Sequence, residues 1–167
     1  MKKILLPILT ASLLLTSSIL PMERADAATS KTSIQKSKLA LAYFTKDIGT
    51  YSFTRQEILK GEYLLRYPAG TTKKHSKTLD VFKLDYTFKG APKNMTFYST
   101  KLPRGNFATV IGVSDDTILT SGTQSIIDYK GLVKSGKKYS MKNYLKYKNT
   151  KEYSSILKKI KFVKNPY

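Results

Sequence analysis

The sequence predicts an α+β fold: an antiparallel β-meander sheet packed by short N-terminal helices and a C-terminal amphipathic helix. Three observations carry that expectation. Turn-forming clusters recur about every eight to twelve residues between Gly61 and Tyr129, which is the spacing of a meander. Ahead of them, Thr54-Arg55-Gln56-Glu57 has the form of a capping box that opens a helix. Behind them, Tyr153, Ile156, Leu157 and Ile160 fall within one narrow stripe at helical spacing.

The chain begins with an address. Met1-Lys2-Lys3 is a positive start, Ile4 to Leu20 is an apolar run, and Ala25-Asp26-Ala27 puts small residues at the −3 and −1 positions of a cleavage site. That three-part pattern is a secretory signal peptide over 1–27. The run is almost long enough for a membrane anchor, but Pro7, the interspersed Ser and Thr, and the A-x-A exit favour cleavage. Residues 28–37, rich in Ser, Thr and Lys, are expected to be a flexible lead-in, and 38–167 a single domain with a basic last third over 130–167. The expected product is a secreted, extracellular protein with no integral membrane span after processing.

Leu39 to Phe44 is apolar on every side, and its Leu and Ala favour a buried helix that Gly49 ends. Phe53 and Ile58 flank the capping box at the positions of a hydrophobic staple, and Gly61 supplies the left-handed stop, so a helix is expected over 55–60. Tyr63 to Tyr67 reads as a strand, Pro68-Ala69-Gly70 as its break, and 71–78 as an exposed basic loop. From Leu79 the period changes to two: Phe82, Leu84, Tyr86 and Phe88 alternate with Lys83, Asp85, Thr87 and Lys89, the pattern of a strand with one wet face. Strands are expected over Met95–Ser99 and, buried on both faces, over Phe107–Val113. A turn at Ser114-Asp115-Asp116, a strand over Ile118–Thr120, a turn at Ser121-Gly122 and a strand over Ile126–Tyr129 follow. Gly131 to Lys138 reads as a basic turn. Thr150 is the expected N-cap of the last helix, which ends near Lys161 before an extended Phe162-Val163.

Composition excludes several chemistries. There is no Cys and a single His, so disulfides, thiol nucleophiles and multi-His or Cys-based metal centres are ruled out. The one histidine, His75, sits among lysines with no evident acid to orient it, and reads as a solvated side chain rather than a general base. Of the carboxylates, Glu57 is taken by its cap, Asp80 and Asp85 point to opposite faces, and Asp115-Asp116 is a turn dipeptide without the continuation of a calcium loop. No phosphate-cradling glycine motif occurs. No catalytic residue, metal or cofactor is expected.

What remains is charge. Lys and Arg number 30 against 11 Asp and Glu, a net +19. The leader holds Lys2, Lys3 and Arg24 against Glu23 and Asp26, so its removal takes away one charge and leaves +18. Solubility needs a magnitude of only about two to eight. Between Lys130 and Tyr167 there are 12 lysines and one acid, Glu152, and the lysines interleave with tyrosines. The expected binding surface comprises Lys137, Lys138, Tyr139, Lys142, Tyr144, Lys146, Tyr147, Lys148, Lys151, Lys158, Lys159 and Lys161, with Lys73, Lys74 and Lys77 of the basic loop. Lysine attracts polyanions over distance, while tyrosine offers a flat face and a hydroxyl donor at contact. Arginine is confined to Arg55, Arg66 and Arg104 after the leader, which argues against base-specific reading. The alternative is a merely solvated lysine face, or lysines guarding an edge strand against aggregation.

A lysine-led leader ending in ADA-A, a cysteine-free Lys/Tyr-rich body and a very basic charge balance resemble the small secreted staphylococcal virulence and immune-evasion proteins. The resemblance is one of organisation, with residues matched only at the leader, and it carries over no functional residue. It implies a non-enzymatic protein that binds host components. The expectation is a secreted host-interaction factor docking its cationic Lys/Tyr surface onto an acidic host protein or a polyanion such as nucleic acid, glycosaminoglycan or teichoic acid. A secreted hydrolase of nucleic acid or cell wall, and a membrane-active cationic protein, are the alternatives.

Overall fold

The computed structural model describes residues 34–44, 51–142 and 146–167. The expected leader over 1–27, residues 28–33, the expected helix stop at Gly49 and Tyr144 lie outside the described residues.

Helix α1 covers 34–44. It starts ahead of the expected boundary, so 34–37 are helical rather than part of a lead-in. Ser37 is held in place, its hydroxyl 2.6 Å from that of Tyr153, which also donates to the Ser37 carbonyl at 3.2 Å. Leu39 to Phe44 are all buried, which accounts for a segment apolar on every side.

Helix α2 spans Arg55–Lys60 between the predicted caps. The Thr54 hydroxyl accepts from the Glu57 N–H, the Glu57 carboxylate accepts from the Thr54 N–H at 2.8 Å, and Gly61 stands at φ 72. Strands β1 (Glu62–Tyr67) and β2 (Gly70–His75) then form a separate antiparallel hairpin around Pro68-Ala69. The expected basic loop is therefore mostly a strand. β2 has no apolar residue to signal it, and its extended form comes from pairing with β1, residue by residue from Tyr67↔Gly70 to Glu62↔His75.

The remaining strands are β3 (Leu79–Lys83), β4 (Thr96–Thr100), β5 (Ala108–Val113), β6 (Thr117–Thr123), β7 (Lys137–Ser140) and β8 (Ile160–Phe162). They form one six-stranded sheet in the order β7-β6-β5-β4-β3-β8, antiparallel throughout except for β8, which runs parallel to β3. Alternate residues feed two cores. Leu79, Val81, Tyr98, Ile111 and Ile118 pack on one face with α1, Ile58 of α2, and Tyr153 and Ile156 of helix α4 (Lys151–Lys159). Phe82, Phe97, Val110 and Leu119 pack on the other with Leu84, Phe88, Met95 and Leu132 of helix α3 (Tyr129–Ser135). Each such side chain stabilises the fold by about 1.5–3 kcal/mol.

Covering both faces explains three departures from expectation. The alternation from Phe82 onward is not one long strand: β3 ends at Lys83, and Leu84 and Phe88 reach the second core from irregular chain while Tyr86 is exposed. Ser121-Gly122 is not a turn; β6 runs through it in register with Val110 and Thr109 of β5, and the Tyr51 side chain occupies the space beside Gly122. The stretch 126–129 is not a strand either. Asp128 caps α3, accepting the Gly131 N–H at 2.8 Å, so Gly131 to Lys138 is helix, break and edge strand rather than a turn.

Candidate functional site

The sequence-predicted lysines do not form one surface. β7, with exposed Lys137 and Lys138 and half-buried Tyr139, is one end of the six-stranded sheet, and β8, with exposed Lys161, is the other. Five strand intervals at about 4.8 Å separate them by roughly 24 Å. The basic C-terminal third is thus divided between two edges, because the chain crosses the whole sheet between β7 and β8. Lys142 is exposed just beyond β7. Exposed Lys148 lines a cleft of about 320 Å³ with Lys38, Asp115 and Met141. Exposed Lys146 lies 5.1 Å from the Tyr147 ring, which turns inward to sit 5.0 Å from Phe44. Lys151 and Lys158 are exposed on α4, and Lys159 is half-buried.

The tyrosines of this third correct the expectation further. Tyr147 packs against the first core and Tyr153 lies in it, so their flat faces serve packing, while Tyr139 is half-buried.

A second group gathers at the hairpin. All six residues of β2 are exposed, including Lys73 and Lys74, and exposed Lys77 follows. The reason is geometric: Tyr63 and Leu65 of β1 are buried, but their partners Lys74 and Thr72 overhang the core edge. Arg66 and Tyr67 at the end of β1 are also exposed, and sequence reasoning missed both. Pro-Ala-Gly between an apolar strand and a run of Thr and Lys was the available hairpin signal. α4 approaches the base of this hairpin, with the Lys159 Nζ beside Gly61, and Lys161 pairs with Asp80 across β8 and β3.

Lys73 reaches the Glu62 carboxylate at 3.1 Å, and this hydrogen bond and charge hold Glu62 below the usual carboxylate range. His75, opposite Glu62 in register, is exposed.

Beneath β1 lies the one deeply buried ion pair among the described residues. Arg104, 2% exposed, donates to the Glu57 carboxylate and at 3.0 Å to the Leu64 carbonyl, while Leu64 donates its N–H to Glu57 at 3.0 Å. Burial pushes the Glu57 carboxyl up, but the bonds from the Thr54 and Leu64 N–H groups and from Arg104 outweigh it and the net shift is downward. By sequence Pro103-Arg104-Gly105 is only a turn-forming cluster, with nothing local to mark Arg104 for burial.

Each of the other described carboxylates also has a partner, in contacts nearer the surface. Asp80 accepts from Thr78, Asp85 from Asn165, Asp116 from Ser114 and Asp128 from the α3 N-terminus, while Asp115 pairs with Lys38 and Glu152 with Arg55. No group of three or more potential metal ligands occurs among the described residues. An open groove of about 960 Å³ exposes Tyr86 and Ile126, with Lys89 and Asp128 of opposite sign in its wall. None of the described helices is long and apolar enough to cross a membrane. Comparison with protein-family models, curated proteins and solved structures finds no match to this chain.

Proposed function

We propose that the chain is a secreted, non-enzymatic host-interaction factor that docks a cationic surface onto an acidic host protein or polyanion, with the β1–β2 hairpin as the contact region. The observation that carries the reading is β2: six exposed residues in a row with Lys73, Lys74 and His75 among them, flanked by Arg66, Tyr67 and Lys77. Polar residues held in extended form outside both cores contribute little to stability, which leaves them available for recognition. The net charge, +18 once the leader is removed, adds long-range attraction for a negative partner. Carboxylates individually engaged in caps and ion pairs favour binding over hydrolysis. The apolar side of α4, with Tyr153 and Ile156 in the core, favours binding over membrane insertion. The lysine-led leader supports export.

The test is retention of the exported chain on immobilised heparin and on duplex DNA across a salt series. Wild type is retained at low salt and elutes as salt rises. The Lys73→Gln/Lys74→Gln/Lys77→Gln chain elutes earlier, its DNA salt slope shallower by about 0.9 per lysine removed. Elution of the triple variant together with wild type contradicts the hairpin assignment.

A further inference from the structure

The hairpin's free edge carries more than charge. One step beyond Glu62↔His75 in the register, Ser76 donates its N–H to the Gly61 carbonyl at 3.0 Å. Antiparallel pairs alternate between hydrogen-bonded and non-bonded. Tyr63–Lys74, Leu65–Thr72 and Tyr67–Gly70 therefore bond across the hairpin, and Glu62–His75, Leu64–Lys73 and Arg66–Thr71 turn their backbone groups outward. β1 bears this out independently: the Leu64 N–H and carbonyl face Glu57 and Arg104, and Arg66 bridges to Gly105. On β2 the outward groups belong to Thr71, Lys73 and His75. They meet no backbone partner among the described residues, because β2 pairs with β1 alone.

We infer that β2 is a strand-addition site for an extended acidic segment of a partner protein. This rests on the hairpin being the docking surface and names its partner class. Three features select that occupant. The outward N–H and C=O groups of alternate residues match the repeat of an extended peptide, whereas a sugar-phosphate chain can accept from the N–H groups but brings no N–H donors at the strand repeat to meet the carbonyls. The fixed positive charges lie on both faces: Lys73 shares one with Arg66, and Lys74 stands on the other, so acidic residues on either face of an added strand meet a positive group. Finally, a second copy of β2 would set lysines against lysines, which opposes self-pairing. The charges that protect the edge from its own kind thereby choose a strand of opposite sign. Lys73 is shared with Glu62, while Lys74 has no ion pair among the described residues and is the stronger attractor.

The experiment is amide exchange of the exported chain, followed residue by residue by NMR, with the probe peptide acetyl-TEVEEVET-amide, its glutamine counterpart acetyl-TQVQQVQT-amide, and a heparin oligosaccharide in parallel. Saturating acidic probe should slow exchange at Thr71, Lys73 and His75 by about tenfold or more, leaving the already bonded Thr72 and Lys74 unchanged. The glutamine peptide should not, and Lys74→Gln should weaken the acidic probe by about three- to fivefold. Heparin should bind without slowing those three amides. Acidic probe that binds without slowing them, or that fails to bind while heparin does, overturns strand addition and leaves the cationic docking surface standing. Loss of both probe and heparin binding overturns both.

Discussion

Along β1, the outward backbone groups of Leu64 are taken by a carboxylate from α2 and a guanidinium from the turn before β5; along β2, on the other side of the same hairpin, the corresponding groups of Lys73 face water. Both strands have six residues and pair along their whole length. The difference lies in what stands next to them. β1 alternates half-buried and buried residues over its first four positions, so its edge had to be closed in an apolar surround, where an orphaned amide or carbonyl costs about 1–3 kcal/mol. The Glu57–Arg104 pair closes it in place of another strand, each charge offsetting the other's desolvation while also bonding backbone. β2 needed no closure because water solvates it. A strand edge left open in water and lined with lysine is available to a partner; one closed by a buried ion pair is structural.

Breaking the closed edge should have the largest effect. Arg104→Met leaves the Glu57 charge buried without its partner and should cost about 3–5 kcal/mol, read as a lower urea midpoint; a chain that unfolds like wild type would show that the pair does not close β1. Next is Gly105→Ala. Gly105 stands at φ 115, and a Cβ there would fall 1.7 Å from the Arg66 carbonyl oxygen, so strain and crowding should cost about 2–3 kcal/mol.

The same pair predicts an acid response. The folded Glu57 carboxyl is shifted down from its ordinary 4.5. Its contribution is therefore fully present above that value and lost as pH falls through the lower folded value. Stability measured by urea between pH 6 and pH 2 should fall in that window, and Glu57→Gln should remove part of the slope. The smallest stability effect belongs to the open edge. Lys73→Gln with Lys74→Gln should change stability by less than about 0.5 kcal/mol, although the same lysines govern binding.

Where structure is written in neighbouring residues, it was legible. Thr54, Glu57 and Gly61 specify α2 and both of its ends; Thr150 caps α4 as its spacing predicts; and Phe107 to Val113 read as a strand buried on both faces, which β5 is. Elements imposed from a distance were not legible. β2 is a strand because β1 pairs with it, β6 passes through Ser121-Gly122 because β5 pairs with it there, and Ile126-Ile127 concealed the cap that Asp128 provides to α3. Arg104 finds Glu57 from 47 residues away, beyond any local pattern. The exposure of most of the site lysines followed from composition. Their division did not, because it depends on β7 and β8 occupying opposite ends of the sheet.

The contrast between the two edges is tested most directly by amide exchange in the free protein, comparing Leu64 with its register partner Lys73. Leu64, bonded to Glu57, should exchange only through a costly opening of the domain, while Lys73 should exchange within a small factor of the rate of an unstructured chain. Similar protection at the two amides would contradict the account, since β2 would then already have a partner on its outer edge.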